Sequence, residues 1–318
     1  MPTPDALNLS APLTQFATAY SNKAFIASEV SPIIKVSQVA GSFNKRSRRD
    51  VHRANLDDLI GGSGRFNEIG YSVTPDSYLL VPRGLEAPVG AAETDVANAG
   101  GLSPEEEAIA NAMQAIMLAH EYRVAAVFTT TTNYTSANRL TATSSATGGF
   151  ADKTSGAPIS DLKRMIRQLP SAGDEFERVL WCSDVVFDAL ISHPETLALK
   201  GTTSGYASEA ELLQFVRGLD RVVVSDVRRD SANEGQSASL ARIWSETACG
   251  ITMRPRSAPT TQSAVFAPTF QHTDGFRVRV ERDGRRGYGG SDIHIVEHYT
   301  QAAKVVQDDC AVILSSAL

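Results

Sequence analysis

Hydrophobic and polar positions change texture along this chain, and the changes predict its elements. Residues 1–33 are polar and rich in Ala and Ser, with Phe16, Tyr20, Phe25 and Ile26 scattered instead of set on a periodic face. Such a segment predicts an arm that orders against a partner. Over residues 34–82 and their edge, the β-prone runs Ile33–Val36, Tyr71–Val73 and Tyr78–Val81 flank a polar, basic and Gly-rich centre. That pattern predicts a long two-stranded excursion with its tip between Lys45 and Gly64. A two-stranded ribbon is marginal alone in water, so it is expected to lie on another subunit.

Ser103, Pro104 and Glu106 spell a helix start with a capping box. Ile109, Ala112, Met113, Ile116, His120, Val124, Val127 and Phe128 then recur at spacings of three and four. They predict one stripe along roughly 25 residues, a rod of about 40 Å. Thr129–Gly149 has no helical period and reads as a connector. From Ile159 helices and strands alternate. A stripe of Ile159, Leu162, Ile166 and Leu169 ends at Pro170, Arg178–Trp181 is a strand, and Ser183 caps a helix through Ile191. Ser208 and Glu211 form a second capping box, Gly218 ends that helix, and Arg221–Ser225 is the next strand. The chain after about residue 260 is β-rich, with Ala264–Phe270, a turn at Asp274-Gly275, Phe276–Glu281, Ile293–Tyr299 and Ala311–Leu314.

Composition narrows the class. The 318 residues, 42% of them hydrophobic, can bury a large core in one domain or two interleaved ones. Thirty basic against thirty-six acidic side chains leave −6, so the surface as a whole is no trap for nucleic acid. Cys182, Cys249 and Cys310 are odd in number and contain no CxxC pair, which predicts reduced thiols and a cytosolic folding compartment. The start of the chain has no basic region before an apolar run, and no stretch of about 18 apolar residues occurs. Neither a secretory leader nor a membrane span is expected.

Few patterns suggest chemistry. His294-Ile-Val-Glu297-His298 matches the H-x-x-E-H zinc motif, the basis for a metal-dependent hydrolase as an alternative, with Asp308 or Asp309 as conceivable third ligand. That chemistry needs a helix, whereas these residues alternate like a strand. Gly61-Gly62-Ser63-Gly64 lacks the Lys-Ser/Thr of a phosphate loop and reads as a turn. Ser183, Asp184, Asp188, Cys182 and His193 could be imagined as a hydrolytic cluster, but capping and the helix dipole account for Ser183 and Asp184. No catalytic, cofactor or metal residue is assigned. Lys45, Arg46, Arg48, Arg49 and Arg53 form the one dense basic block. Placed on a protruding ribbon, they are expected to contact an acidic patch of a neighbouring subunit, with DNA phosphate second. Arg277, Arg279, Arg282, Arg285 and Arg286 form a weaker set on a sheet with one wet side.

The order of segments resembles the major capsid proteins of tailed bacteriophages with the Hong Kong 97 fold. The resemblance rests on Pro32–Val36 and the basic excursion after it, Tyr71–Val81, and Ser103–Phe128 with its His120-Glu121-Tyr-Arg-Val-Ala-Ala-Val-Phe128 ending. Ala157–Leu162, Arg178–Pro194 and Ser239–Trp244 complete it, the last similar to the strand that closes the family's axial domain. It implies an α+β fold with an N-terminal arm (1–33), an extended loop (34–82), a peripheral domain with a spine helix (83–155), an axial domain (156–261) and returning strands of both (262–318). It also implies hexamers and pentamers of identical subunits closing into an icosahedral head around double-stranded DNA, without enzyme activity or cofactor. No scaffolding-like region precedes the arm, so a scaffold is expected to be separate, as are portal and decoration proteins. The virion is the expected location, with assembly in the host bacterial cytoplasm. An encapsulin-like compartment shell is the alternative within the same fold.

Overall fold

The computed structural model describes residues 10–19, 24–46, 73–90, 103–143, 146, 148–170, 173, 175–202, 205–232, 235–261, 263, 265–285 and 290–318. The chain opens with α1 (Ala11–Ala19), α2 (Ala27–Val30), β1 (Ile33–Val36), β2 (Ala40–Arg46), β3 (Val73–Leu79) and β4 (Val81–Gly90). The long helix α3 (Pro104–Thr129) and the short β5 (Arg139–Thr141) follow. The middle holds α4 (Pro158–Gln168), β6 (Phe176–Ser183), α5 (Asp184–Ile191), α6 (Pro194–Lys200), α7 (Glu209–Phe215) and β7 (Arg221–Ser225). Last come β8 (Arg228–Asp230), β9 (Leu240–Arg242), β10 (Cys249–Pro255), β11 (Thr269–His272), β12 (Arg277–Asp283), β13 (Ser291–Gln301) and β14 (Ala311–Ser315).

Two five-stranded sheets organise the body. In the first, β13 pairs antiparallel with β4 along Ser291–Thr300, with β12 from Ser291 to Glu297, and with β11 at Thr300 and Gln301, while β1 joins β11 in parallel. The second runs β5-β14-β10-β6-β7. Helix α3 belongs to both cores. Ile109, Ala112, Met113 and Ile116 in its first half pack with Val278 and Val296 of the first sheet. Val124, Ala125 and Phe128 in its second half enter the larger core with Trp181, Trp244 and Phe266. At 26 residues it spans about 39 Å, long enough to serve two layers of side chains.

Several expectations are met locally. Ser183 Oγ accepts from Val186 N at 3.5 Å, and both bonds of the Ser208/Glu211 capping box are present. The expected box at Ser103 is not formed, since its hydroxyl makes no capping bond; Pro104 and the acids Glu105, Glu106 and Glu107 mark that first turn instead, favoured at the positive end of the dipole. The strand expected over Ala264–Phe270 begins only at Thr269, because Pro268 has no N–H to give a ladder. The Ser239–Trp244 segment forms β9, which pairs with β8 apart from the main sheets. β10, which carries no alternation because both its faces are buried, occupies the centre of the second sheet instead.

The leading segment is not bare of structure on its own body. Ser10 N donates to Val278 O at 3.1 Å, and Ala17 is fully buried beside Ile109 and Met113. β2 and β3 do form an antiparallel ribbon, from Ala40↔Leu79 to Arg46↔Val73, and its root packs through Phe43 and Tyr78 on Phe270, with Tyr78 stacked at 5.0 Å. The tip, residues 47–72, lies outside the described residues.

Candidate functional site

The H-x-x-E-H residues sit in β13, in the middle of the first sheet. Strand geometry sends His294 and His298 to one face and Glu297 to the other, with the two Cα atoms about 13 Å apart. They cannot share one ion. His298 is buried against Phe276, ring centroids 4.5 Å apart, and is pushed down to about 3 by burial and then by His120, Arg123 and Arg83. Among the described residues no three His, Cys, Asp or Glu converge to hold a metal.

The cluster around Ser183 is likewise structural. Asp184 receives both Nε and an Nη of Arg242, at 2.7 and 2.9 Å, and this guanidinium holds its carboxyl below the usual range against the opposing effect of burial. Burial drives the Cys182 thiol well above its ordinary value, the reverse of what a nucleophile needs. His193 caps α6 by accepting from Glu195 N through Nδ1 at 3.1 Å, with its Nε2 3.1 Å from Asp152 O. All three cysteines are buried.

Of the basic block, Lys45 lies on β2 and pairs with Asp76 of β3 at 2.6 Å, while Lys304 reaches the other oxygen at 2.6 Å. Burial opposes ionisation of Asp76, but the bonds from Lys304 and Lys45 outweigh it and hold the carboxyl at about 2. Lys45 therefore spends its charge within the ribbon. Arg46 ends β2, and Arg48, Arg49, Arg53 and Gly61–Gly64 lie outside the described residues. In the second set, Arg277 pairs with Asp274 and Arg279 with Glu281, beside the fully buried Val278.

The most constrained polar group was not singled out by the sequence pattern. Glu121 of α3 is fully buried, and its carboxylate accepts from Ile26 N at 3.2 Å, Ala27 N at 2.8 Å and Trp244 Nε1 at 2.6 Å. Burial raises its pKa and the three donors pull it back. One side chain thus joins the foot of the arm, the long helix and the segment after β9. The available signal was a glutamate one position from a buried stripe, between Ile116 and Val124.

This arrangement is a scaffold of interlocked layers, with no convergent catalytic groups among the described residues. No family model matches the chain. The major capsid protein of Pseudomonas phage JBD67 is 27% identical over 266 residues, 82% of this chain and 82% of that protein. The crystal structure of a phage-related protein from Bordetella bronchiseptica matches with a TM-score of 0.74 at 18% identity, covering 98% of this chain and 97% of the other. The capsid of cyanophage P-SCSP1u matches at 0.53 and 13% identity, covering 93% and 89%. The SrpI encapsulin of Synechococcus elongatus matches at 0.55 and 12%, covering 96% and 95%. The chain is similar in sequence to a phage major capsid protein along most of its length, and its mixed helix-and-sheet fold is one that phage capsid subunits share.

Proposed function

We propose that this chain is the major capsid protein of a phage head, built on the Hong Kong 97 fold, and that assembly is its activity. The observation that carries this reading is similarity to a phage major capsid protein across 82% of both sequences. In this reading identical copies form hexamers and pentamers that close around double-stranded DNA. The arm (1–33) and loop (34–82) overlap neighbours, 83–155 and 156–261 form peripheral and axial domains, and 262–318 returns through both. The arginines Arg46, Arg48, Arg49 and Arg53 meet acids of an adjacent subunit, while Lys45, expected in the same role, is held by Asp76 within the ribbon. A net charge of −6 suits a container that must release its DNA. Assembly takes place in the host cytoplasm.

The similarity to an encapsulin favours a second reading, a compartment shell around cargo protein. Negative-stain microscopy of the expressed protein tests the shared claim: closed shells or capsomers are expected, and monomers at high concentration would refute it. Particle contents then separate the two, since packaged DNA supports the capsid and a packaged enzyme supports the compartment.

A further inference from the structure

Four basic side chains converge on the buried face of the first sheet, and none of them has an ion pair among the described residues. The β4–β13 register sets Arg83 directly across from His298, so both project to the same face. His120 and Arg123 lie one turn apart on α3, which packs over that face. His298 is 4% exposed, and neither of its ring nitrogens has a hydrogen-bond partner. His120 Nδ1, Arg83 Nε and Arg123 Nε are also buried and without partners, and neither arginine has an ion pair among the described residues.

We propose that Arg83 and Arg123, backed by His120 and His298, form a receptor for a carboxylate side chain of a second copy of this chain. The inference rests on the shell-subunit reading. Holding two half-buried cations side by side without counter-charge is unfavourable, so the isolated subunit is electrostatically unsatisfied here. The molecule already reflects it: burial and then Arg83 lower the Arg123 pKa, and burial and then the two arginines push His120 down to about 4. A cavity of about 120 Å³ beside the imidazoles has room for water, which can satisfy ring nitrogens but supplies no charge, and the Glu121 carboxylate that also lines it is taken up by Ile26 N, Ala27 N and Trp244 Nε1. Both arginines are only half-buried, hence reachable from outside, and a guanidinium fork suits a planar carboxylate. The source fits as well. The chain has a surplus of acids, thirty-six against thirty basic groups, and exposed ones such as Glu106 and Glu107 recur on every copy.

The test uses full-length wild type and an Arg83→Gln, Arg123→Gln double variant, followed by thermal melting of dissociated subunits and by yield of closed shells. The variant subunit is expected to melt no lower than wild type, because two repelling cations are gone, while shell yield falls roughly tenfold or more. Arg123→Lys alone should retain part of the yield. Unchanged shell yield in the double variant overturns the proposal, and so does a variant subunit that melts well below wild type, which would make the arginines structural. Stabilisation of wild-type subunits by inorganic phosphate, absent in the variant and without any assembly defect, would make this a free-anion site and also overturn it. If wild type forms no shells, the capsid reading itself fails, an outcome distinct from any of these.

Discussion

At the scale of single residues, Glu121 shows how one buried charge can set the position of a segment. Two main-chain N–H groups of the α2 entry and one indole N–H have no other acceptor within the same bonds, so its removal leaves three donors unmet. Glu121→Ala should destabilise dissociated subunits by about 3 kcal/mol or more in urea unfolding, and should speed amide exchange at Ile26 and Ala27. A loss below about 1 kcal/mol would mean that the apolar contacts of α2 suffice. The histidines give a pH dependence of definite sign. His120 and His298 titrate near 4 and 3 in the folded chain against an ordinary 6.5. Between those values the unfolded chain binds protons that the folded chain refuses, so stability rises with pH through this window and is complete above it. Glu121, raised above its ordinary value, runs the other way as pH climbs. Subunit melting temperature should therefore fall on acidification from about pH 6.5 to 4, and the slope should flatten in a His120→Gln, His298→Gln variant. A slope unchanged in that variant would assign the acid sensitivity elsewhere.

Elements fit together through close approach as well as through apolar area. Gly250 of β10 lies opposite Trp181 of β6, and a Cβ there would sit 2.7 Å from the indole Nε1 and closer still to the ring carbons. Trp181 is fully buried among Phe128 and Trp244, so the ring has nowhere to go. Gly250→Ala should cost about 3 kcal/mol, read as a lowered denaturation midpoint with the same slope; tolerance without loss would show that the ring can shift. The same two strands show why parts of the sheets were hard to foresee. β6 was visible as an apolar run with a capping serine at its end, whereas β10 carries a glycine, a cysteine and a terminal proline and shows no alternation. β4 holds Pro82, Gly84 and Pro88, which a central strand would not tolerate, but it lies at the edge of its sheet, where prolines are accepted.

For the whole molecule, the described parts of the arm and of the ribbon are anchored on the chain's own body. α1 lies against α3 and β12, and the ribbon root is held by Phe43 and Tyr78 on Phe270 and by the Lys45–Asp76–Lys304 clamp. The root thus needs no neighbour, and any intersubunit role of the basic block passes from Lys45 to the arginines that follow it in the sequence. Reversing Arg48 and Arg49 to Glu is expected to weaken shell assembly while leaving the subunit's melting temperature within about a degree or two, because charges in a polar loop of the kind the sequence predicts contribute little to folding. Shells of normal yield from that variant would remove the loop from the list of contacts.

What the sequence determined by itself was everything governed by neighbours in the chain: the long helix with its apolar stripe, the caps at Ser183 and Ser208, and the alternating strands β12 and β13. Those features arise from local backbone propensity and periodicity, which any window of the chain displays. Tertiary structure decided which residues far apart would meet. It placed Glu121 beneath Ile26 and Trp244, put β10 between β6 and β14, and set Arg83 across from His298. Such pairings depend on the free energy of packing whole layers, a quantity no single segment carries.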